Sequence, residues 1–94
     1  MYLNVKSERE LKPTMFDACK SFYHKAKVVE TFENEIVLVS YNTPVCKIAN
    51  GQFVRLWPYY SATTMRHVNS FCRQYGIDGG GKAWWNGLKI GGWN

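Results

Sequence analysis

The chain has 94 residues, of which 46% are hydrophobic and 16% aromatic. This composition is typical of one folded domain and excludes an intrinsically disordered chain. We expect neither a secretory signal nor a membrane span, because no apolar segment has the required length. Three cysteines without a Cys-x-x-Cys pair favour reduced thiols in a cytoplasmic protein.

The net charge of +5 comes entirely from the second half of the chain. Residues 1–43 carry six basic and six acidic side chains, whereas residues 44–94 carry six basic side chains and one acidic side chain, Asp78. A basic half favours partners that carry phosphate or acidic groups, because opposite charges attract over long distances. The simpler alternative is that the charge only keeps the protein in solution.

Residues 1–20 contain two helix signals. Ser7 and Glu10 have the spacing of a capping box, and Pro13 limits that helix to about one turn. Residues 14–17 give a second possible helix start. We therefore predict an N-terminal helical segment made of short turns.

Residues 21–57 have the pattern of an antiparallel β-meander. The apolar period changes to two from Ser21, and the next segment is rich in β-branched residues. Glu33-Asn34 predicts a turn between the first two strands, and residues 42–44 separate the second from the third. The four predicted strands cover residues 22–29, 35–41, 45–49 and 52–57.

The last two strands are joined by Asn50-Gly51, a strong hairpin signal because both turn positions require positive φ. In the register that this turn imposes, Ile48 faces Phe53 and Val45 faces Leu56.

Residues 61–75 have a complete helix pattern. Ser61 or Thr63 can cap the first turn, and Gly76 suits the left-handed position that ends a helix. At about 100° per residue, the side chains separate into an apolar and a polar side. The side predicted to be buried comprises Thr64, Met65, Val68, Phe71, Cys72 and Tyr75. The side predicted to be exposed comprises Arg66, Asn69, Ser70 and Arg73.

Residues 77–94 are rich in glycine and tryptophan. The three glycines at 79–81 predict a flexible hinge, and Asn86-Gly87 predicts a miniature hairpin. A glycine-rich tail has little room to bury three indoles, so we expect exposed anchors at Trp84, Trp85 and Trp93. The chain thus predicts a single α+β domain over residues 1–94. In it, a four-stranded antiparallel meander packs against one main helix, with short N-terminal helical turns and a Trp-rich C-terminal hairpin.

The segment from Gly79 to Lys82 has a superficial likeness to a phosphate-binding loop. Such a loop requires Ser or Thr after the lysine and a hydrophobic strand before the glycines. Ala83 follows the lysine here, and no such strand precedes the loop. We therefore predict no bound cofactor.

Metal binding has limited support. Cys19 and His24 are five residues apart, as are His67 and Cys72, and neither spacing matches the close ligand pairs of structural zinc sites. A buried, inert thiol is the simpler interpretation of Cys72. We predict no metal site, with a zinc-stabilised module as an alternative.

Catalysis also has little support. Ser61, Thr63 and Thr64 could be drawn as nucleophiles beside His67, but no oriented base or oxyanion site accompanies them. Capping explains the hydroxyl groups, and packing with a satisfied ring N–H explains the histidine. We therefore predict no catalytic residue and no enzyme.

Aromatic side chains alternate with basic ones in the second half of the chain. Aromatic faces stack bases while Lys and Arg neutralise phosphate, a combination used to bind single strands. Trp, Tyr and Arg also dominate hot spots of protein–protein interfaces. We assign Trp57 and Tyr60 mainly to the core.

Several segments resemble a known family: residues 20–27, residues 40–45 and residues 60–71, followed by Gln74-Tyr-Gly76. The elements Ser-Tyr-x-Thr and Tyr-Ser-x-Thr-Thr-x-Arg-His are fairly specific together. They are similar to a small domain of unknown function in phages, prophages and Firmicutes, over about residues 20–76. That family usually has a long aliphatic residue in place of Cys72, so this cysteine is not expected to have a shared role.

The resemblance implies a phage-derived accessory protein in a bacterial cytoplasm. By analogy with proteins of such origin, we expect a stoichiometric inhibitor of a bacterial defence or host effector, of the anti-CRISPR type. Its expected partner is a CRISPR nuclease or another effector protein, or the nucleic acid of that effector, and no membrane. The alternative is a nucleic-acid-binding accessory protein. The predicted partner-binding residues are Arg66, Asn69, Ser70, Arg73, Arg55, Lys82, Trp84, Trp85 and Lys89.

Overall fold

The structure, a computed structural model, describes residues 5–11 and 25–91. Within them, five strands form one antiparallel sheet in the order β1-β2-β3-β4-β5, accompanied by two helices. The elements are β1 (Val5–Glu10), β2 (Ala26–Thr31), β3 (Ile36–Ser40), β4 (Thr43–Ala49), β5 (Gln52–Arg55), α1 (Ala62–Gln74) and α2 (Lys82–Gly87). The α+β class is confirmed, but the predicted number of four strands is wrong.

The additional strand is β1, where the capping-box spacing of Ser7 and Glu10 predicted a helical turn. It pairs antiparallel with β2, and Lys27 forms a 3.1 Å ion pair with Glu8 across the two strands. Arg9 also donates a 2.7 Å hydrogen bond to the Tyr75 hydroxyl beyond the end of α1. A capping box satisfies two backbone N–H groups, whereas pairing satisfies the donors and acceptors of β1 that face β2, so the strand is preferred.

The predicted helix start at residues 14–17 lies outside the described part. Of the first four residues of the first predicted strand, 22–25, the structure describes only the last. In the described part, that strand begins at Ala26. The predicted turn at Glu33-Asn34 is confirmed, and Asn34 has a φ of 63°.

The register of the β4–β5 hairpin is confirmed. Ile48 pairs with Phe53 around the Asn50-Gly51 turn, whose φ angles are 53° and 75°. The Leu56 N–H donates to the Val45 carbonyl at 2.9 Å, so this pair also faces as predicted.

The turn before β4 is shorter than residues 42–44, because Tyr41 and Asn42 hold the positive φ angles of 50° and 65° and Thr43 already belongs to the strand. Pro44 enters this central strand beside a bulge in the pairing with β3. A bulge interrupts the ladder, which makes the missing N–H of proline tolerable.

Helix α1 covers one face of the sheet. Met65, Val68, Phe71 and Cys72 are at most 5% exposed and form a single core cluster with strand residues. The strand residues of this cluster are Ala26, Val28, Leu38, Val45 and Cys46. A second cluster contains Val29, Val37 and Val39 with Leu56 packed against it. Along β2 and β3, apolar side chains are therefore buried on both faces of the sheet.

Both ends of α1 follow the sequence signals. The Ser61 hydroxyl accepts the Thr64 N–H at 3.0 Å and caps the first turn. Gly76 has a φ of 70°, and the Ile77 N–H reaches the Cys72 carbonyl at 2.8 Å. This bond closes a Schellman motif, in which a left-handed residue ends the helix.

The C-terminal hairpin is absent from the described residues, and α2 lies there instead. After α2 the chain returns to the sheet, where Ile90 forms a parallel bridge with Arg55 and the Gly91 N–H donates to the Arg55 carbonyl at 2.6 Å. The short helix buries Trp85 completely. In a two-stranded hairpin, adjacent residues point to opposite faces, so Trp84 and Trp85 would not both turn toward the core.

The glycine loop before α2, which was predicted to be a flexible hinge, comes close to other residues at two of its three glycines. A Cβ atom at Gly79 would overlap the Asn69 amide, and one at Gly80 would lie 2.7 Å from the Trp84 Cβ. Within the described ranges, neither helix has the length and apolar character needed to cross a membrane.

Candidate binding surface

The solvent side of α1 carries Arg66 and Arg73, which are both exposed. Between them lies Asn69, half-buried, whose amide donates to the Met65 carbonyl at 3.1 Å and to the Gly80 carbonyl at 3.0 Å. Asn69 therefore ties the glycine loop to the helix. The polar side of α1 thus holds both a structural amide and two exposed guanidinium groups.

Ser70 was predicted to be exposed on this side, and that prediction is wrong because it is fully buried. Its hydroxyl accepts a 3.3 Å hydrogen bond from Gln74. His67, one turn earlier on the same flank, is also buried, so α1 buries a wider arc than its apolar residues alone indicated. A small polar side chain such as that of Ser70 allows this flank of α1 to lie close to the rest of the fold.

A groove of about 370 Å³ runs between α1 and the glycine loop, lined by Asn69, Arg73, Gly79 and Gly80. Its walls are polar side chains and backbone, and one guanidinium group lies on it. Such a groove suits an extended, acidic segment of a partner, because Arg binds carboxylates through paired hydrogen bonds.

Exposed aromatic residues border the start of α2. Tyr59 is 66% exposed and Tyr60 is 38% exposed, so the assignment of Tyr60 to the core is wrong. The Lys82 ammonium group lies 5.4 Å from the centroid of the Tyr60 ring. Trp57 packs against the core as predicted, and Lys89 is exposed beyond α2.

Arg55 was predicted to contact a partner, but it is only 5% exposed. Its guanidinium group donates to the carbonyls of Trp57 and Trp85, both at 2.9 Å, with longer bonds to those of Tyr59 and Leu88. It also stacks 4.7 Å from the Trp85 ring. Arg55 therefore joins β5, the segment before α1, and α2. Its position on the inner face of the sheet, opposite Cys46, explains why it is buried.

The predicted tryptophan anchors are also largely internal. Trp85 is fully buried and its indole N–H donates to the Tyr59 carbonyl at 2.7 Å. Trp84 is half-buried, 5.6 Å from the Phe53 ring. Trp93 lies outside the described residues. The helical backbone of α2, which the Asn86-Gly87 signal did not predict, turns both indoles toward the core cluster.

His67 is buried under the turn between β3 and β4. Its Nδ1 shares a 2.8 Å hydrogen bond with the Ser40 hydroxyl, which confirms the predicted packing role. Tyr41 packs over it with the ring centroids 5.8 Å apart. Burial, followed by the positive charge of Lys25, lowers the pKa of His67 from its ordinary value of 6.5.

We expect this lowered pKa to make the fold acid-sensitive. Because the unfolded chain binds the proton more readily, the stability that is present above pH 6.5 should be lost as the pH falls below that value. The slope attributable to one residue is at most about 1.4 kcal/mol per pH unit. Urea unfolding between pH 7.5 and 5 measures it. A His67→Gln variant should show a shallower slope, and an unchanged slope contradicts the assignment.

The two described cysteines, Cys46 and Cys72, are buried, and burial disfavours the reactive thiolate form. Burial raises the pKa of the Cys72 thiol to about 12, and burial followed by the proximity of Cys72 also raises the pKa of Cys46. Cys19 and His24 lie outside the described residues. In the described part of the chain, no three His, Cys, Asp or Glu side chains come together as a metal would require.

Sequence reasoning missed one constellation. Ser40, Tyr41 and Thr43 from the β3–β4 turn meet Ser61 and Thr64 from the start of α1 around a common groove. These residues belong to the two sequence elements that carried the family resemblance. Their distance along the chain hid the contact, although both elements were recognised.

A comparison with protein families gives one match, a family of unknown function (DUF8033), over residues 9–87. No curated protein and no solved structure matches the chain. The matched range spans the last two residues of β1, the rest of the sheet and both helices. Because the match covers most of the 94 residues, the chain belongs to the DUF8033 family of unknown function.

Proposed function

We propose that this protein acts by binding, as a phage-derived, stoichiometric inhibitor of a bacterial defence or host effector of the anti-CRISPR type, in the bacterial cytoplasm. The observation that supports it best is the polar side of α1. It presents Arg66 and Arg73 to solvent beside an open groove, in the half of the chain that carries the whole positive charge.

The charge determines the kind of target surface. A positively charged face repels nucleic-acid-binding sites and attracts acidic ones, so the inhibitor does not act as a DNA mimic. Arg66 and Arg73 would bind carboxylates of the effector, with Lys82 and Lys89 adding to the positive field. Tyr59 and Tyr60 take the role of exposed aromatic anchors that the buried tryptophans cannot fill.

The experiment is capture of purified CRISPR nucleases and other defence effectors by the full chain, followed by calorimetry. Truncation of hot-spot arginines typically costs about 2 kcal/mol, so Arg66→Ala/Arg73→Ala should weaken binding roughly 30-fold or more. Both residues are exposed, and we expect the free energy of unfolding to change by less than about 1 kcal/mol.

The matched control is Lys6→Ala/Lys27→Ala, which removes the same charge from β1 and β2, outside α1 and its groove. It should leave affinity nearly unchanged. Equal losses in both double variants would point to net charge rather than to this face. If no effector in a broad panel is retained and phage growth is not restored, the proposal is wrong.

A second candidate function is binding of single-stranded nucleic acid. The observation that favours it is the Lys82 ammonium group over Tyr60, next to the exposed Tyr59. Such a pair can stack a base and neutralise its phosphate. Affinity for a labelled oligonucleotide should then fall steeply between low and moderate salt, as counterions are released. Affinity that stays flat over this range contradicts it.

A further inference from the structure

A second groove, of about 320 Å³, opens where the β3–β4 turn meets the start of α1. Tyr41 and Trp57 supply its aromatic lining, and Val45 and Thr64, 1% and 4% exposed, lie deeper. It shares no lining residue with the groove beside Arg73. A ligand here would therefore be independent of the proposed effector surface.

Two polar groups on this groove have no protein partner. The Thr64 backbone N–H donates to the Ser61 hydroxyl, but within residues 5–11 and 25–91 the Thr64 side-chain hydroxyl makes no hydrogen bond. The Trp57 indole N–H is also without a partner in these ranges. Neither atom is fully enclosed, so both remain accessible. A ligand in the groove can therefore use both groups as hydrogen-bonding partners.

One basic side chain, Lys25, lies close to a residue that lines the groove. The Lys25 ammonium group lies 5.6 Å from the centroid of the Tyr41 ring, and no acidic side chain lines the groove in the described part of the chain. Ser40, which also lines it, is held by its hydrogen bond to His67. The surroundings therefore suit a ligand that is flat, carries hydrogen-bonding atoms and bears a negative charge.

We propose that this groove binds one nucleotide. The base stacks on Tyr41 and Trp57, the Thr64 hydroxyl bonds its polar edge, and the phosphate lies near Lys25. The volume is at the lower end of the range of about 300–1,000 Å³ that is usual for small-molecule sites, which suits one nucleotide rather than a dinucleotide. A free mononucleotide and one unstacked base of a single strand offer the same chemistry.

The test is a titration of the full chain, followed by the amide and indole N–H signals in two-dimensional NMR spectra. AMP, GMP, CMP and UMP are added separately at millimolar concentration, and short single-stranded oligonucleotides form a second arm. Inorganic phosphate is the control for simple anion binding. We expect shifts centred on Tyr41, Trp57 and Thr64. Shifts with mononucleotides indicate a free ligand, whereas shifts with oligonucleotides alone indicate a base within a strand.

Two variants of one residue give the specific control. Thr64→Val removes the hydroxyl but keeps the side-chain shape, and should weaken binding about tenfold. Thr64→Ser keeps the hydroxyl and should bind within about twofold of the parent chain. Thermal unfolding verifies that both variants fold. The proposal is overturned if no nucleotide or oligonucleotide shifts these signals, if phosphate alone reproduces the shifts, or if both variants lose affinity equally.

Discussion

Replacement of Trp85 by Ala should lower the free energy of unfolding by about 3–5 kcal/mol, the usual cost of removing a large, fully buried aromatic side chain. The substitution leaves a cavity in the core and removes the indole N–H bond to the Tyr59 carbonyl. It also removes the ring on which Arg55 stacks. Urea denaturation of the purified variant, fitted to a two-state transition, measures the loss.

Trp84→Ala provides the matched control, because it deletes the same side chain from the same short helix. Trp84 is only half-buried, and its loss should cost clearly less than that of Trp85. Equal losses, or a larger loss at Trp84, would contradict the packing of α2 described above.

The second large effect is expected for Arg55→Lys, which preserves the charge but not the planar fork of donors. Arg55 bonds to four carbonyls, and a lysine ammonium group cannot reach all of them from one point. Each buried polar group left unsatisfied costs about 1–3 kcal/mol, so we expect a total loss of about 3 kcal/mol or more. Urea denaturation again gives the value.

Arg66→Lys is the control for this second substitution. The residue is exposed on α1, and the change should stay within about 0.5 kcal/mol. Because Arg55 stacks on Trp85, the double variant Arg55→Lys/Trp85→Ala should lose less than the sum of the single losses. If the losses of unfolding free energy are additive, or if Arg55→Lys is as stable as the parent chain, then the hydrogen bonds of Arg55 do not hold α2 in place.

The elements that sequence reasoning predicted well are those with local signals. The Asn50-Gly51 turn fixes the register of its hairpin through the φ angles of two residues. Ser61 and Gly76 bound α1 through backbone hydrogen bonds within one or two turns. Such signals depend on neighbouring residues alone, so they are visible without a tertiary structure.

The errors concern residues whose environment depends on distant contacts. Ser7 and Glu10 satisfy a local helix rule, but β1 instead pairs with β2 along most of its length. Arginine is a residue type common at binding sites, but the Arg55 side chain is buried, where it donates to a carbonyl of α2 about 30 positions later in the chain. Trp85 is internal for the same reason. Exposure was predicted correctly at Arg66 and Arg73, which lie on the solvent side of α1.

The single bridge between Ile90 and Arg55 has a consequence for solubility. The bridge pairs the Arg55 carbonyl at the outer edge of β5. Unpaired backbone groups at such an edge can pair with a strand of another molecule. Substitutions that detach α2 should therefore expose the edge of β5 as well as weaken the core. Loss of Trp85 should promote self-association at concentrations where the parent chain stays monodisperse.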